Sequence, residues 1–177
     1  NGTSTSTLAI SGSVRLSQKT EFRSRSNLYF NSSSSEIHTI DFSAVNLYAN
    51  VTFNKGTYII APLFLLDGNS LKFGGGKYIL EETYISAGNI INTDATAEFK
   101  IKNSYFQSSK KFVFSAGAKI ESEGMYVIAD LNNPGNYDVP QSISNSKGFS
   151  SNNNINAFCP VTISVQPACS GSCTGVL

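Results

Sequence analysis

Apolar and polar residues alternate with a period of two along much of this chain, which is the pattern of β-strands. In residues 45–53 every odd position is apolar, and the even positions are Asn, Tyr, Asn and Thr. No stretch of ten or more residues follows the 3.6-residue period of an amphipathic helix, and the best candidate, residues 77–84, fits it poorly. The sequence therefore predicts an all-β fold.

Turn-forming segments separate the predicted strands at intervals of about ten residues. They are the segments 54–56, 67–69, 74–76, 87–89 and 116–117, which are rich in Gly, Asn and Ala. Short strands with turns at this spacing are typical of sandwiches and barrels. We therefore expect a β-sandwich of the jelly-roll or immunoglobulin-like kind, with an N-terminal extension strand.

Three similar segments favour a β-solenoid as the alternative fold. They read LDGNSLKFGGGKYI, ISAGNIINTDATAEFKI and FSAGAKIESEGMYVI. Their glycines are Gly68, Gly88 and Gly117, so the second interval is clearly longer than the first. Because the coils of a solenoid keep a steadier period, we rank the solenoid below the sandwich.

The length of 177 residues fits one domain. Residues 1–18 are interpreted as an N-terminal strand with its leader, and residues 19–177 as a single all-β domain with a polar loop at 132–156. The longest apolar stretch, Tyr58–Leu66, is expected to be a fully buried central strand. It is far shorter than the ~20 residues that a membrane-spanning helix needs.

The polar surface of this chain carries little charge. Ser, Thr and Asn are abundant, whereas charged residues make up only 14% of the chain, with a net charge of +1. This composition gives no indication of a nucleic-acid or anionic-membrane partner. It is typical of extracellular proteins, and because no signal-peptide pattern opens the chain, we expect a mature, secreted protein at the cell surface.

The three cysteines, Cys159, Cys169 and Cys173, all lie near the C-terminus. In an oxidising compartment they are expected to form a disulfide that staples the terminal strand, with Cys169 pairing either neighbour and one thiol left over. A metal site is not expected, because three thiolates need a fourth ligand and His38 is remote in the sequence.

Three sequons mark candidate sites of N-glycosylation at Asn31, Asn50 and Asn1. Asn31 lies in a serine-rich loop and is the best acceptor. Asn50 lies on the polar face of a predicted strand, and Asn1 is close to the terminus.

The segment STLAISGSVRLS places Leu8, Ile10, Gly12, Val14 and Leu16 on one face of a predicted strand. A TSTST leader precedes it and a charged segment, QKTEFRSR, follows it. In these features it resembles the N-terminal donor strands of pilus and thread subunits. The resemblance implies a sandwich that lacks one strand and is completed by the N-terminal strand of an identical neighbour. The alternative is an ordinary first strand, paired within its own sheet.

No catalytic set emerges from the sequence. Glycosidases need two carboxylates across a cleft, and Glu121 and Glu123 are two apart on a predicted strand, where they are expected to face solvent. His38 has no Ser or Cys partner in a recognisable motif, and the segment 74–77 lacks the spacing of a phosphate-binding loop. The other carboxylates considered are Asp41, Glu81 and Glu82.

These observations lead to a ranked set of functions. The first is a non-enzymatic extracellular structural subunit, without cofactor, that polymerises head-to-tail with identical subunits into a surface filament. The alternative is a monomeric surface adhesin or carbohydrate-binding β-domain that contacts glycans or a host surface. A polysaccharide-active enzyme on a solenoid ranks third.

Overall fold

The computed structural model describes residues 6–16, 26–66, 68–129, 137–139 and 149–151, which contain fifteen β-strands and no helix. The all-β prediction is thus confirmed for these residues. The strands are β1 Ser6–Ile10, β2 Val14–Arg15, β3 Ser26–Phe30, β4 Ile37–Asp41, β5 Asn46–Leu47, β6 Ala49–Phe53, β7 Thr57–Ile60, β8 Leu63–Leu65, β9 Ser70–Phe73, β10 Lys77–Glu81, β11 Tyr84–Asn92, β12 Glu98–Val113, β13 Lys119–Ala129, β14 Tyr137–Asp138 and β15 Phe149–Ser151.

The strands form a β-solenoid of about five turns. Every pairing among the described strands is parallel, and each strand pairs with the segment that the chain reaches one coil later. Tyr58, for example, lies beside Tyr78, which lies beside Phe99. Parallel neighbours cannot be joined by a tight hairpin, so the chain must travel around the molecule before it returns.

Each coil contributes to three faces. The first, the asparagine face, contains β1, β3, β6 and β9, and then residues 89–92 of β11. The second, the charged face, contains β2, β4, β7 and β10, and then residues 98–102 of β12 and 119–123 of β13. The third, the tyrosine face, contains β5 and β8, and then the first part of β11, the middle of β12 and the last part of β13.

The core lies inside the coil and consists of inward side chains stacked in columns. Phe30 and Phe53 stack with ring centroids 4.7 Å apart, and Phe53 stacks in turn on Phe73. A second column runs through Tyr58, Tyr78 and Phe99. Such aromatic pairs add to the energy of burying their area, so each coil is held to the next by its interior as well as by the strand hydrogen bonds.

The expected β-sandwich is wrong, and the solenoid, ranked second on sequence, is the fold. Gly68 and Gly88 lie at the same corner of successive coils, where a methyl group on Gly88 would overlap the Gly68 carbonyl. Gly117 belongs to a different corner, where it lies against Ala95. The uneven glycine spacing therefore came from comparing two different corners, not from an irregular coil.

The expected single buried strand at Tyr58–Leu66 is also wrong. The chain turns a corner at residues 61–62, so this segment forms β7 and β8 on two different faces. Ile59 points outward and is 39% exposed, and Phe64 is only half-buried. Apolar residues at outward positions made the segment look buried on both sides.

Several predicted features lie outside the described residues: most of the leader, the charged segment QKTEFRSR at 18–25, and Cys159, Cys169 and Cys173. Within the predicted polar loop at 132–156 the structure describes the short strands β14 and β15. Across the described ranges, no helix has the length and apolar character needed to cross a membrane.

Candidate functional site

Parallel stacking in register brings chemically similar side chains together on the outside of the coil, because outward positions of neighbouring strands lie one strand spacing apart. On the asparagine face these side chains bond to one another. The Asn50 amide donates to Asn27 Oδ1 at 3.1 Å, the Ser70 backbone N–H donates to Asn50 Oδ1, and the Asn89 amide donates to Ser70 Oγ. The polar groups of this face thus stabilise the coil itself.

The charged face carries lysines and glutamates that alternate from coil to coil. Lys77 and Lys119 both form ion pairs with Glu98, at 3.0 and 3.1 Å, and Lys100 pairs with Glu81 at 2.9 Å. The hydrogen bonds and positive charge of these lysines lower the pKa of Glu98 and of Glu81 below the ordinary value. A shallow depression of about 300 Å³ on this face is lined by Lys77, Glu98, Lys100 and Lys119, which form these ion pairs, and by Glu121. Most of its charges are therefore already paired.

The tyrosine face has a different character. Tyr84, Tyr105 and Tyr126 are register partners in three successive coils and are all half-buried. Within the described residues, none of the outward strand positions on this face carries a charge. These positions are Asn46, Phe64, Tyr84, Ser86, Tyr105, Gln107, Tyr126 and Ile128.

The rings of this face form two stacked pairs. Phe64 and Tyr84 have centroids 5.4 Å apart, and Tyr105 and Tyr126 have centroids 4.7 Å apart, with nearly parallel planes. The Tyr84 hydroxyl donates a hydrogen bond diagonally to Gln107 Oε1 on the next coil. Among the ring contacts of the described residues none joins Tyr84 to Tyr105. The tyrosine column, which consists of Tyr84, Tyr105 and Tyr126, therefore has a break between Tyr84 and Tyr105, with Gln107 beside it.

Partial burial raises the pKa of the Tyr84 and Tyr105 hydroxyls above the ordinary value, and the neighbouring Tyr126 adds to the effect at Tyr105. Both hydroxyls consequently stay protonated at neutral pH and can donate as well as accept hydrogen bonds. The face thus combines apolar ring surface with neutral hydroxyl and amide groups. This combination suits a ligand that presents apolar C–H faces together with hydroxyl groups.

No family model, curated protein or solved structure matches this chain. The function must therefore be argued from these three faces.

The five residues of the predicted donor segment lie in the first coil of the chain's own solenoid. β1 pairs in parallel with β3, with Leu8 opposite Leu28, and β2 pairs with β4. Leu8 is 52% exposed. The partly buried apolar side chains Ile10, Val14 and Leu16 pack against the core. Gly12 connects the two strands, and a Cβ there would meet no atom within 4 Å.

Two of the candidate glycosylation sites lie in the described part of the chain. Asn31 is exposed after β3, and its Oδ1 accepts a hydrogen bond from the Asn54 amide. Asn50 is engaged on both sides in the ladder of the asparagine face, and its Nδ2, the atom to which a glycan would be attached, donates to Asn27. Asn1 lies outside the described residues.

The remaining candidates from the sequence are dispersed. Asp41 pairs with Arg15 at 3.1 Å, and Glu121 and Glu123 are exposed on the charged face, as predicted. His38 is buried, and its Nε2 lies 2.8 Å from the Ser32 hydroxyl, a partner that sequence reasoning missed. Among the described residues no group of three or more His, Cys, Asp or Glu could hold a metal ion.

The tyrosine column is the main feature that sequence reasoning missed. Alternation within a strand led us to expect most aromatic side chains in the core. The available signal was the even spacing of Tyr84, Tyr105 and Tyr126, which follow one another at equal intervals along the sequence.

Proposed function

We propose that this protein is a non-enzymatic, extracellular β-solenoid that binds carbohydrate on its tyrosine face. The observation that carries the proposal is the outward, uncharged column of Tyr84, Tyr105 and Tyr126 with Gln107 beside it. The polar, weakly charged composition supports a location outside the cell.

The chemistry of the three faces supports the choice of this face and this ligand. On the asparagine and charged faces the polar groups are used in bonds between coils. A nucleic acid would require a surface of lysines and arginines, whereas the outward strand positions of the tyrosine face described here include none. Aromatic rings combined with an amide and hydroxyls can contact both the apolar and the polar parts of a sugar.

The test is a binding screen on immobilised glycans with the purified protein and two variants. Tyr105→Ala is expected to weaken binding about two- to tenfold, since an aromatic contact contributes ~0.5–1.5 kcal/mol. Tyr29→Ala is the matched control, because Tyr29 is also outward and half-buried but lies on the asparagine face. Equal losses in the two variants, or an unmodified protein that binds no glycan, would contradict the proposal.

A second function, polymerisation into a surface filament, is favoured by the first coil. Leu8 is 52% exposed, although its partner Leu28 and the next residue of that column, Val51, are buried. Among the described strands β1 has a neighbour on one side only. An apolar edge strand is a template for strand addition. We propose that an identical subunit adds to this edge, head to tail.

Electron microscopy of the natively secreted protein tests this second function. Filaments are expected for the unmodified chain and not for Leu8→Asp. The control is Ile59→Asp, an outward isoleucine in the second full coil that should leave the edge intact. Dispersed particles in all three samples would rule out polymerisation.

A further inference from the structure

We infer that the ligand of the tyrosine face is a linear, neutral polysaccharide that lies along the solenoid axis, with successive sugar rings on successive coils. The inference rests on the proposed carbohydrate-binding function and specifies the ligand class of the same face. It follows from the shape, the period and the charge of that face.

The shape of the face determines the direction of the ligand. Along each strand only two side chains point outward between the corners, for example Tyr84 and Ser86 in one coil and Tyr105 and Gln107 in the next. A ligand extended along a strand would run over a corner after these two side chains. Along the axis, by contrast, the aromatic residues from Phe64 to Tyr126 extend over four coils.

The period of the face matches a polymer. Strands lie ~4.8 Å apart, so three intervals from Phe64 to Tyr126 span roughly 14 Å. An extended polysaccharide advances by about one strand spacing with each sugar ring. It can therefore contact Tyr84, Tyr105 and Tyr126 in turn, whereas a single sugar can contact only one part of the column.

The break in the column gives a central position for one sugar ring. Phe64 covers one face of the Tyr84 ring, and Tyr126 covers one face of the Tyr105 ring. The other faces of Tyr84 and Tyr105 have no stacked ring among the described residues, and the Gln107 amide oxygen accepts a hydrogen bond from the Tyr84 hydroxyl. A sugar ring at this position would contact aromatic surface while its hydroxyl groups bond to the amide and the tyrosine hydroxyls.

The absence of charge from the described outward positions of this face decides between polymer types. A polysaccharide that carries carboxylates or sulfates would find no cation there to pair with. Leaving its charges unpaired against a half-apolar surface would be unfavourable. A neutral polymer avoids this cost.

The experiment is calorimetric titration of the purified protein with β-1,4-linked oligomers of glucose, mannose and N-acetylglucosamine, from one to six rings. In at least one series the affinity is expected to rise roughly two- to tenfold with each added ring. It should level off near four rings, because the aromatic side chains of Phe64, Tyr84, Tyr105 and Tyr126 lie on four successive coils. β-1,4-linked oligomannuronate, the charged counterpart of the mannose series, serves as the charged probe and is expected to bind more weakly than the mannose oligomers.

Two variants test where the polysaccharide lies on the protein. Tyr126→Ala removes one end of the column, so affinity should level off about one ring earlier, whereas Tyr29→Ala on the asparagine face should leave the length dependence unchanged. Single sugars that bind as tightly as six-ring oligomers, or tighter binding of oligomannuronate than of the mannose oligomers, would overturn the inference while leaving carbohydrate binding intact. No binding to any of these sugars would overturn both.

Discussion

At the scale of single residues, one corner of the solenoid repeats an unusual backbone conformation. Glu82, Asn103 and Gly124 have φ angles of 51°, 45° and 82° and occupy equivalent positions in successive coils, at the turn from the charged face to the tyrosine face. Glycine adopts this left-handed conformation freely and asparagine tolerates it, whereas it costs most other residues ~1–2 kcal/mol. The strain at this corner is therefore concentrated at Glu82.

Replacing Glu82 by asparagine should stabilise the fold. We expect Glu82→Asn to raise the free energy of unfolding by about 0.5–1 kcal/mol, because asparagine relieves part of the left-handed strain. Urea unfolding monitored by circular dichroism measures the change. Glu82→Gln removes the same charge but keeps the strain, so it should stay within about 0.5 kcal/mol of the unmodified protein. An equal gain in both variants would assign the effect to charge.

Gly88 tests the close approach of two coils at another corner. An added methyl group would overlap the backbone of Gly68, which cannot rotate away as a side chain can. We expect Gly88→Ala to lower the free energy of unfolding by about 1–3 kcal/mol. Gly12→Ala, where the new methyl meets nothing within 4 Å, is the control for unfolding in urea. Similar small changes in both variants would show that these corners are farther apart than described.

At the scale of the strands, the lysine and glutamate columns predict a dependence of stability on pH. The pKa values of Glu81 and Glu98 are lowered in the folded state, so folding is favoured where these carboxylates are ionised. This contribution is present above the ordinary glutamate pKa of 4.5 and is lost as the pH falls through the lowered folded-state values. Thermal unfolding measured across this acidic range should show a falling melting temperature.

The variant Glu98→Gln isolates this effect, because it removes the carboxylate shared by Lys77 and Lys119. Glu98→Gln should make the melting temperature less sensitive to acid. Added salt should weaken the pH dependence of the unmodified protein, since exposed ion pairs are screened. Glu36→Gln, at an exposed glutamate preceding β4, provides the comparison. A larger effect from Glu36→Gln would contradict the assignment to the lysine columns.

The strands also show how far the sequence could be interpreted. The alternation in residues 45–53 correctly placed Leu47, Val51 and Phe53 in the core. Alternation alone does not show which strand lies beside which, because it is the same for parallel and antiparallel neighbours. The outward column of Tyr84 and its partners exists only through that pairing, which is why a strand-by-strand reading did not find it.

At the scale of the whole molecule, the architecture was harder to predict than the strands. The sequence interval between register partners varies: it is nearly the same from Tyr58 to Tyr78 as from Tyr78 to Phe99, but clearly longer from Val14 to Ile40. The corners absorb these differences in length while the strands stay in register. Gly88 and Gly117 lie at different corners, so the distance between them in the sequence does not measure the length of a coil.

Hydrogen exchange can test the coil-by-coil architecture and the filament proposal together. In a solenoid each coil contacts only its neighbours, so stability varies along the axis and the ends open first. Amides of β6 and β9, which have strand neighbours on both sides, should exchange slowly, and those of β1, which has one described strand neighbour, should exchange faster. Equal protection of β1 and β9 in dispersed protein would contradict this order.

In filaments, an added neighbour at the first coil should slow exchange in β1 and leave exchange in β9 unchanged. Filaments joined through another surface would leave the amides of β1 exchanging as fast as in the dispersed protein.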